Sequence, residues 1–269
     1  MKKVLLATTA LTLSAGFASA EVSISGSAEA GIHSNAGADH VTFAGIDMNF
    51  AVSGSSDNGM SFSTSVDAGG GDLLDGFDPL DPQGAAFGAP TVTIGMEGFT
   101  VAIGGTAAND NLYDDNLAGG GISVSGAAGD ATFSVVTGLA DEEGTSASLG
   151  YAVGSMGISA AMTDVGDVAS FTVSYDMGDM GISVTSDDGN TSSEISYTAG
   201  ALSTSIEADD DSNWDVSVSY AAGAASVGFA TDESDAWEAT VGYDLGGGAS
   251  FNAGVNEAET SYAAVGFSF

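Results

Sequence analysis

Near its carboxyl end the chain alternates strictly between apolar and polar side chains. Trp237, Ala239, Val241 and Tyr243 interleave with Glu238, Thr240, Gly242 and Asp244. A period of two gives a strand with one greasy and one polar face, whereas an amphipathic helix repeats every ~3.6 residues. Gly246, Gly247 and Gly248 supply the positive φ that a tight reversal needs, and the alternation resumes with Ala249, Phe251, Ala253 and Val255 against Ser250, Asn252, Gly254 and Asn256. A last strand puts Val265, Phe267 and Phe269 on one face.

The same rhythm runs back to Glu21. Val22 and Ile24 alternate with Ser23 and Ser25, a second strand is predicted around Val41 to Ser53, and Asp57-Asn58-Gly59 is a strong hairpin signal ahead of a strand beginning at Met60. Residues 69 to 88, rich in Gly, Asp and Pro, read as a long loop. Thr91 to Met96 and Phe99 to Ile103 form a hairpin about Glu97-Gly98, followed by a second irregular stretch, Ala107 to Gly120. From Ile122 onward minimal Gly turns such as Gly178-Asp179 alternate with longer acidic ones such as Asp209-Asp210-Asp211. Short turns at one rim and longer loops at the other are the mark of an up-and-down barrel in an outer membrane. The pattern predicts about eighteen strands of roughly eight to eleven residues, close to the length a tilted strand needs to cross hydrocarbon. The fold class is therefore all-β, a closed antiparallel transmembrane β-barrel of about 16 to 18 strands. A soluble sandwich would show the same alternation with its greasy faces turned inward; a solenoid would show a fixed repeat.

Composition sharpens this picture. Lys2 and Lys3 precede an apolar run from Val4 to Phe17 and the small residues Ala18-Ser19-Ala20, which read as a cleaved secretory signal over residues 1–20, leaving 21–269 as a single barrel domain. Those two lysines are the only basic residues beside 37 Asp and Glu. Residues 21–269 therefore form no Lys or Arg salt bridge, and nucleic acid is excluded as a partner because phosphate contacts need cations on the protein. Cys is absent, which removes disulfides and thiolate metal sites. Gly and other small residues dominate where a soluble core would carry Leu, so a conventional packed interior is not expected.

Some segments match a known family. Tyr262-Ala263-Ala264-Val265-Gly266-Phe267-Ser268-Phe269 resembles the carboxyl-terminal assembly signal of bacterial outer-membrane barrels, with Val265, Phe267 and Phe269 as its apolar positions. Gly242-Tyr243-Asp244-Leu245-Gly246-Gly247-Gly248-Ala249-Ser250, the start Glu21-Val22-Ser23-Ile24-Ser25-Gly26, and Asp57-Asn58-Gly59-Met60-Ser61-Phe62 are similar to alphaproteobacterial general diffusion porins of the Rhodobacter type. The resemblance implies a homotrimer of water-filled barrels of about sixteen strands in the outer membrane, inserted by the barrel-assembly machinery, with one inward loop narrowing each pore. In that family basic residues face carboxylates across the constriction; here the basic half is missing. Ala107 to Gly120 is the first candidate for the inward loop and 69 to 88 the competitor.

Carboxylates without counter-charges would concentrate cations in the lumen and exclude anions. The pore-lining or constriction candidates are Asp67, Glu194, Glu207, Asp215 and Glu238 on polar strand faces, with Asp110, Asp114 and Asp115 in the loop. No cofactor is implied. Asp72, Asp75, Asp78 and Asp81 offer oxygen ligands to loosely held Ca²⁺ or Mg²⁺, with a spacing unlike an EF-hand. Trp214, Tyr220, Trp237 and Tyr243, near strand ends, are candidates for an interfacial girdle. His33 and His40 flank the first loop; with no nucleophile elbow or zinc-binding helix motif, the chain reads as a non-enzyme. The leading expectation is a passive channel for small hydrophilic solutes and cations, and the alternative is a structural or adhesive surface β-protein without transport.

Overall fold

A computed structural model describes residues 20–84, 87, 90–104, 121–138, 145–163 and 168–269. Its strands are β1 (Glu21–Ser34), β2 (Val41–Ser55), β3 (Ser61–Leu73), β4 (Asp81–Pro82), β5 (Thr91–Met96), β6 (Phe99–Gly104), β7 (Gly121–Ala128), β8 (Ala131–Gly138), β9 (Thr145–Val153) and β10 (Met156–Thr163). They continue as β11 (Val168–Met177), β12 (Met180–Asp187), β13 (Asn190–Ala199), β14 (Leu202–Asp209), β15 (Trp214–Ala222), β16 (Ala225–Asp232), β17 (Trp237–Gly246), β18 (Ala249–Asn256) and β19 (Ser261–Ser268). β4 is a short stub paired only with the end of β3. The other eighteen, counted among the described residues, run antiparallel with their chain neighbours, and β1 closes on β19. Eighteen is the upper end of the expected range and replaces the sixteen implied by the resemblance.

The closing seam pairs Ser27 with Ser268 through to Ser34 with Ser261. Gly26 and Phe269 extend it by exchanging both backbone hydrogen bonds at 3.0 Å. Closure removes the sheet edges, so backbone N–H and C=O groups find partners within the wall, as a hydrocarbon environment requires.

The two rims use different turn chemistry. At one, Gly129, Gly154, Gly178, Gly200 and Gly223 occupy the first position of two-residue turns with φ between 60 and 73°. That geometry is the primed hairpin turn that only Gly enters without strain. At the other rim three loops share one design. The N–H of Ser212, Asp235 and Glu259 donates to the carbonyl of Asp209, Asp232 and Asn256 respectively. The side-chain oxygen of that same Asx residue accepts the N–H of Asn213, Ala236 or Thr260 at 2.8, 3.1 and 2.9 Å. Asx side chains favour such positions because they satisfy backbone donors that the ladder leaves free. Asp188-Gly189 is a two-residue turn at this second rim, with both φ values positive. The connections 105–120, 139–144 and 164–167 lie outside the described residues.

Among the described residues no large side chain is fully buried, and the buried apolar set is Phe43, Val136 and Ala264. The apolar strand face is instead a continuous exposed surface, with Val184, Ile195, Ile206, Val218, Phe229 and Val241 about half exposed. An apolar exterior is what a barrel solvated by lipid presents. Tyr151, Tyr175, Tyr197, Tyr220 and Tyr243 each stand three positions ahead of a turn glycine, making an exposed aromatic band at the short-turn rim. Trp214 and Trp237 follow the Asx loops at the opposite rim. The four aromatics expected to mark an interface thus divide between two belts.

Candidate pore lining

The polar strand face lines the interior of the closed barrel. On its β13–β16 arc, strand register brings carboxylates into one row: Glu194 is directly opposite Glu207, Glu207 opposite Asp215, and Asp215 opposite Asp232. Directly opposed residues lie about 4.5 to 5.5 Å apart at Cβ. Unit charges at about 4 Å repel by about 1 kcal/mol in water and by more where water is sparse. Glu194, Glu207 and Asp215 are exposed to solvent, so hydration and mobile cations offset that cost. Glu238 stands off the row, opposite Ala230 and Asn256, but shares an open cleft with Asp215 and Asp232.

Asp232 was not among the sequence candidates. The parity of Gly228 and Ala230 places it on the polar face. Asp67 sits apart from the row on β3, where its carboxylate accepts a hydrogen bond from Asn49 Nδ2. Glu29 and Asp47 also share the polar face and were missed. Asp110, Asp114 and Asp115 lie outside the described residues, as does the whole stretch 107–120.

The competing inward loop is visible in part. Gly71, at φ 77°, ends the pairing of β3 with Gly45, and the chain turns across the polar face. An added Cβ on Gly45 would collide with the carbonyl of Asp72, so the crossing needs glycine there. Leu74 N–H donates to Glu29 Oε2 at 3.1 Å. The Phe77 ring rests 5.3 Å from that of Tyr262, tilted by 56°. Both rings lie over Gly254, whose missing side chain leaves the space they fill. The return strand is held by Gln83 N–H to Gly71 O at 2.8 Å and Gly69 N–H to Gly84 O at 2.9 Å. Residues 72–83 therefore lie against the lumen side of β18, β19, β1 and β2. In the same patch Phe43, His33 and Ala264 are 5%, 3% and 2% exposed.

Asp72, Asp75, Asp78 and Asp81 ride on this segment without converging. The Asp81 carboxylate accepts from Gln83 Nε2 at 2.7 Å, and no group of three potential ligands gathers for a metal among the described residues. Of the two histidines, His33, next to last in β1, lies in the covered patch and His40 meets Ser261 Oγ at 3.3 Å. Val265, Phe267 and Phe269 share the apolar exterior, about half exposed, with the Phe267 and Phe269 rings stacked at 6.1 Å.

A closed antiparallel barrel, apolar outside and polar within, with short turns at one rim and long loops at the other, defines an outer-membrane channel protein. The profile of the Gram-negative porin family matches residues 7–263, and the chain belongs to that family. It resides in the bacterial outer membrane. No curated protein matches it. Among solved structures, a triple mutant of the Rh. blastica porin is similar at 14% identity and a TM-score of 0.57, covering 92% of this chain and 100% of that one. A second Rhodopseudomonas blastica porin triple mutant matches at 13% identity with the same score and coverage. A structure titled "Asymmetric conductivity of engineered proteins" matches at 14% identity and TM-score 0.57, over 93% of this chain and 100% of that one.

Proposed function

We propose that this porin is a passive, cation-preferring diffusion channel for small hydrophilic solutes and ions. The observation that carries the reading is the Glu194, Glu207, Asp215 and Asp232 row on the polar face, in a chain whose residues 21–269 contain no Lys or Arg. A low-dielectric wall lined by one sign of charge focuses its field into the water beside it, concentrating cations and repelling anions. Because counter-charge must come from solution, Ca²⁺ and Mg²⁺ act as diffuse screening ions. The exposed apolar belt and the aromatic carboxyl end fit insertion by the barrel-assembly machinery and association as a homotrimer. The test is the reversal potential of the purified protein in a planar bilayer across a KCl gradient. A potential of the sign set by K⁺ is expected, and one set by Cl⁻ overturns the reading.

A further inference from the structure

Phe77 and Tyr262 are unusual among the large aromatic side chains of the barrel, most of which face outward. Tyr262 belongs to the polar face of β19, opposite Gly254 of β18 and His33 of β1. Phe77 reaches it from the segment that packs against the lumen side of β18, β19, β1 and β2. Both rings are only partly covered, and Gly254 clears the wall behind them. Carboxylates flank the pair on the same polar face, Glu29 on β1 to one side of β19 and Glu238 on β17, beyond β18, to the other. Glu29 is fixed by its bond to Leu74 N–H, while Glu238 is exposed and free to meet a solute.

We propose that the Phe77–Tyr262 pair, with Glu29 and Glu238, is a lumenal binding station for organic cations bearing a quaternary or heavily alkylated ammonium. Aromatic faces attract such cations through the ring quadrupole, and an alkylated ammonium gives up its thin hydration far more readily than K⁺ does. The flanking carboxylates supply the long-range attraction. An anionic or neutral solute gains nothing from them, and no Lys or Arg within residues 21–269 competes for the ring faces. A station on the pore wall binds weakly enough for the solute to leave, which passage requires. This inference rests on the reading of the protein as a cation-preferring pore and adds a solute class to it.

The experiment is single-channel recording of the full protein in symmetrical KCl with choline added to one side. Saturable reduction of the K⁺ current by choline is expected. 3,3-Dimethylbutan-1-ol, the uncharged isostere, is expected to leave the current unchanged. F77L keeps apolar bulk and removes one ring face, and should raise the half-blocking choline concentration by about three- to tenfold. Y262F retains the ring and should block as the native protein does. Should F77L fail to assemble, as judged by heat-modifiable mobility on gels, G254A takes its place. Its added methyl displaces both rings, and it too should weaken the block. Choline passing in proportion to its mobility, block by the neutral alcohol equal to that by choline, or unchanged block in the ring-removing variant overturns the station. A KCl reversal potential of K⁺ sign alongside any of those results leaves the pore reading standing, so the two failures are distinguishable.

Discussion

The two sides of the lumen use carboxylates in opposite ways. On the β18–β19–β1–β2 wall a crossing segment packs against the polar face, and Glu29 spends its carboxylate on a backbone N–H of that segment. Around it lie His33, Phe43 and Ala264, among the few buried side chains of the described residues. On the β13–β16 wall Glu194, Glu207 and Asp215 stand side by side in solvent with no basic partner, and Asp232, at the end of the row, turns its carboxylate to the N–H groups of Ser234 and Ala236. One wall converts a carboxylate into local order, and the other leaves a field in open water. Charge alone is therefore a poor guide to role: what packs against a carboxylate decides it.

Several measurements would break or sharpen that contrast, beginning with the largest effect. G45V drives a branched side chain into the Asp72 carbonyl, so the crossing segment must lift or the β2–β3 ladder must yield. A loss of about 1 to 3 kcal/mol is expected, read as a lower temperature for the heat-modifiable mobility shift and new protease sensitivity between residues 74 and 80. E29A removes the acceptor of Leu74 N–H and should cost about 1 to 3 kcal/mol in the same assay, with E29Q restoring most of it because its carbonyl still accepts. On the open wall E207Q should do the reverse. It relieves repulsion from both Glu194 and Asp215 and should stabilise the barrel by about 1 kcal/mol or less, while moving the KCl reversal potential toward zero. N256A, which strips the acceptor for Thr260 N–H, should cost about 0.5 to 1.5 kcal/mol, measurable by thermal unfolding. If E29A and E207Q shift stability in the same direction, the distinction between the walls fails.

Most of the wall was legible from local pattern. The hairpin from Trp237 to Asn256, the Gly turns and the carboxyl-terminal strand all fall where the alternation places them. So do the polar-face assignments of Glu194, Glu207, Asp215 and Glu238, because a period of two fixes a side chain's face once the strand is recognised. Residues 69–88 read as a long loop and as the second choice for the inward segment, whereas residues 69–73 continue β3 by pairing with β2 and β4 before the chain turns inward. Their sequence gave no sign that Phe77 would meet Tyr262, since an isolated Phe in a Gly- and Asp-rich stretch has no periodic neighbours to declare its partner. Asp232 shares the polar-face parity of Gly228 and Ala230, but only the strand register supplies its cross-strand partner, Asp215.

The amino-acid sequence by itself determined the strands, their two faces, the turns and the one-signed charge, because each depends on residues a few positions apart. Tertiary structure decided between sixteen and eighteen strands and set the seam between β1 and β19. It also decided the register that lines four carboxylates in a row, and the docking of residues 72–83 against the far end of the chain. Those depend on closing the sheet on itself, where the pairing of one strand fixes the neighbours of the next and no local pattern carries the answer.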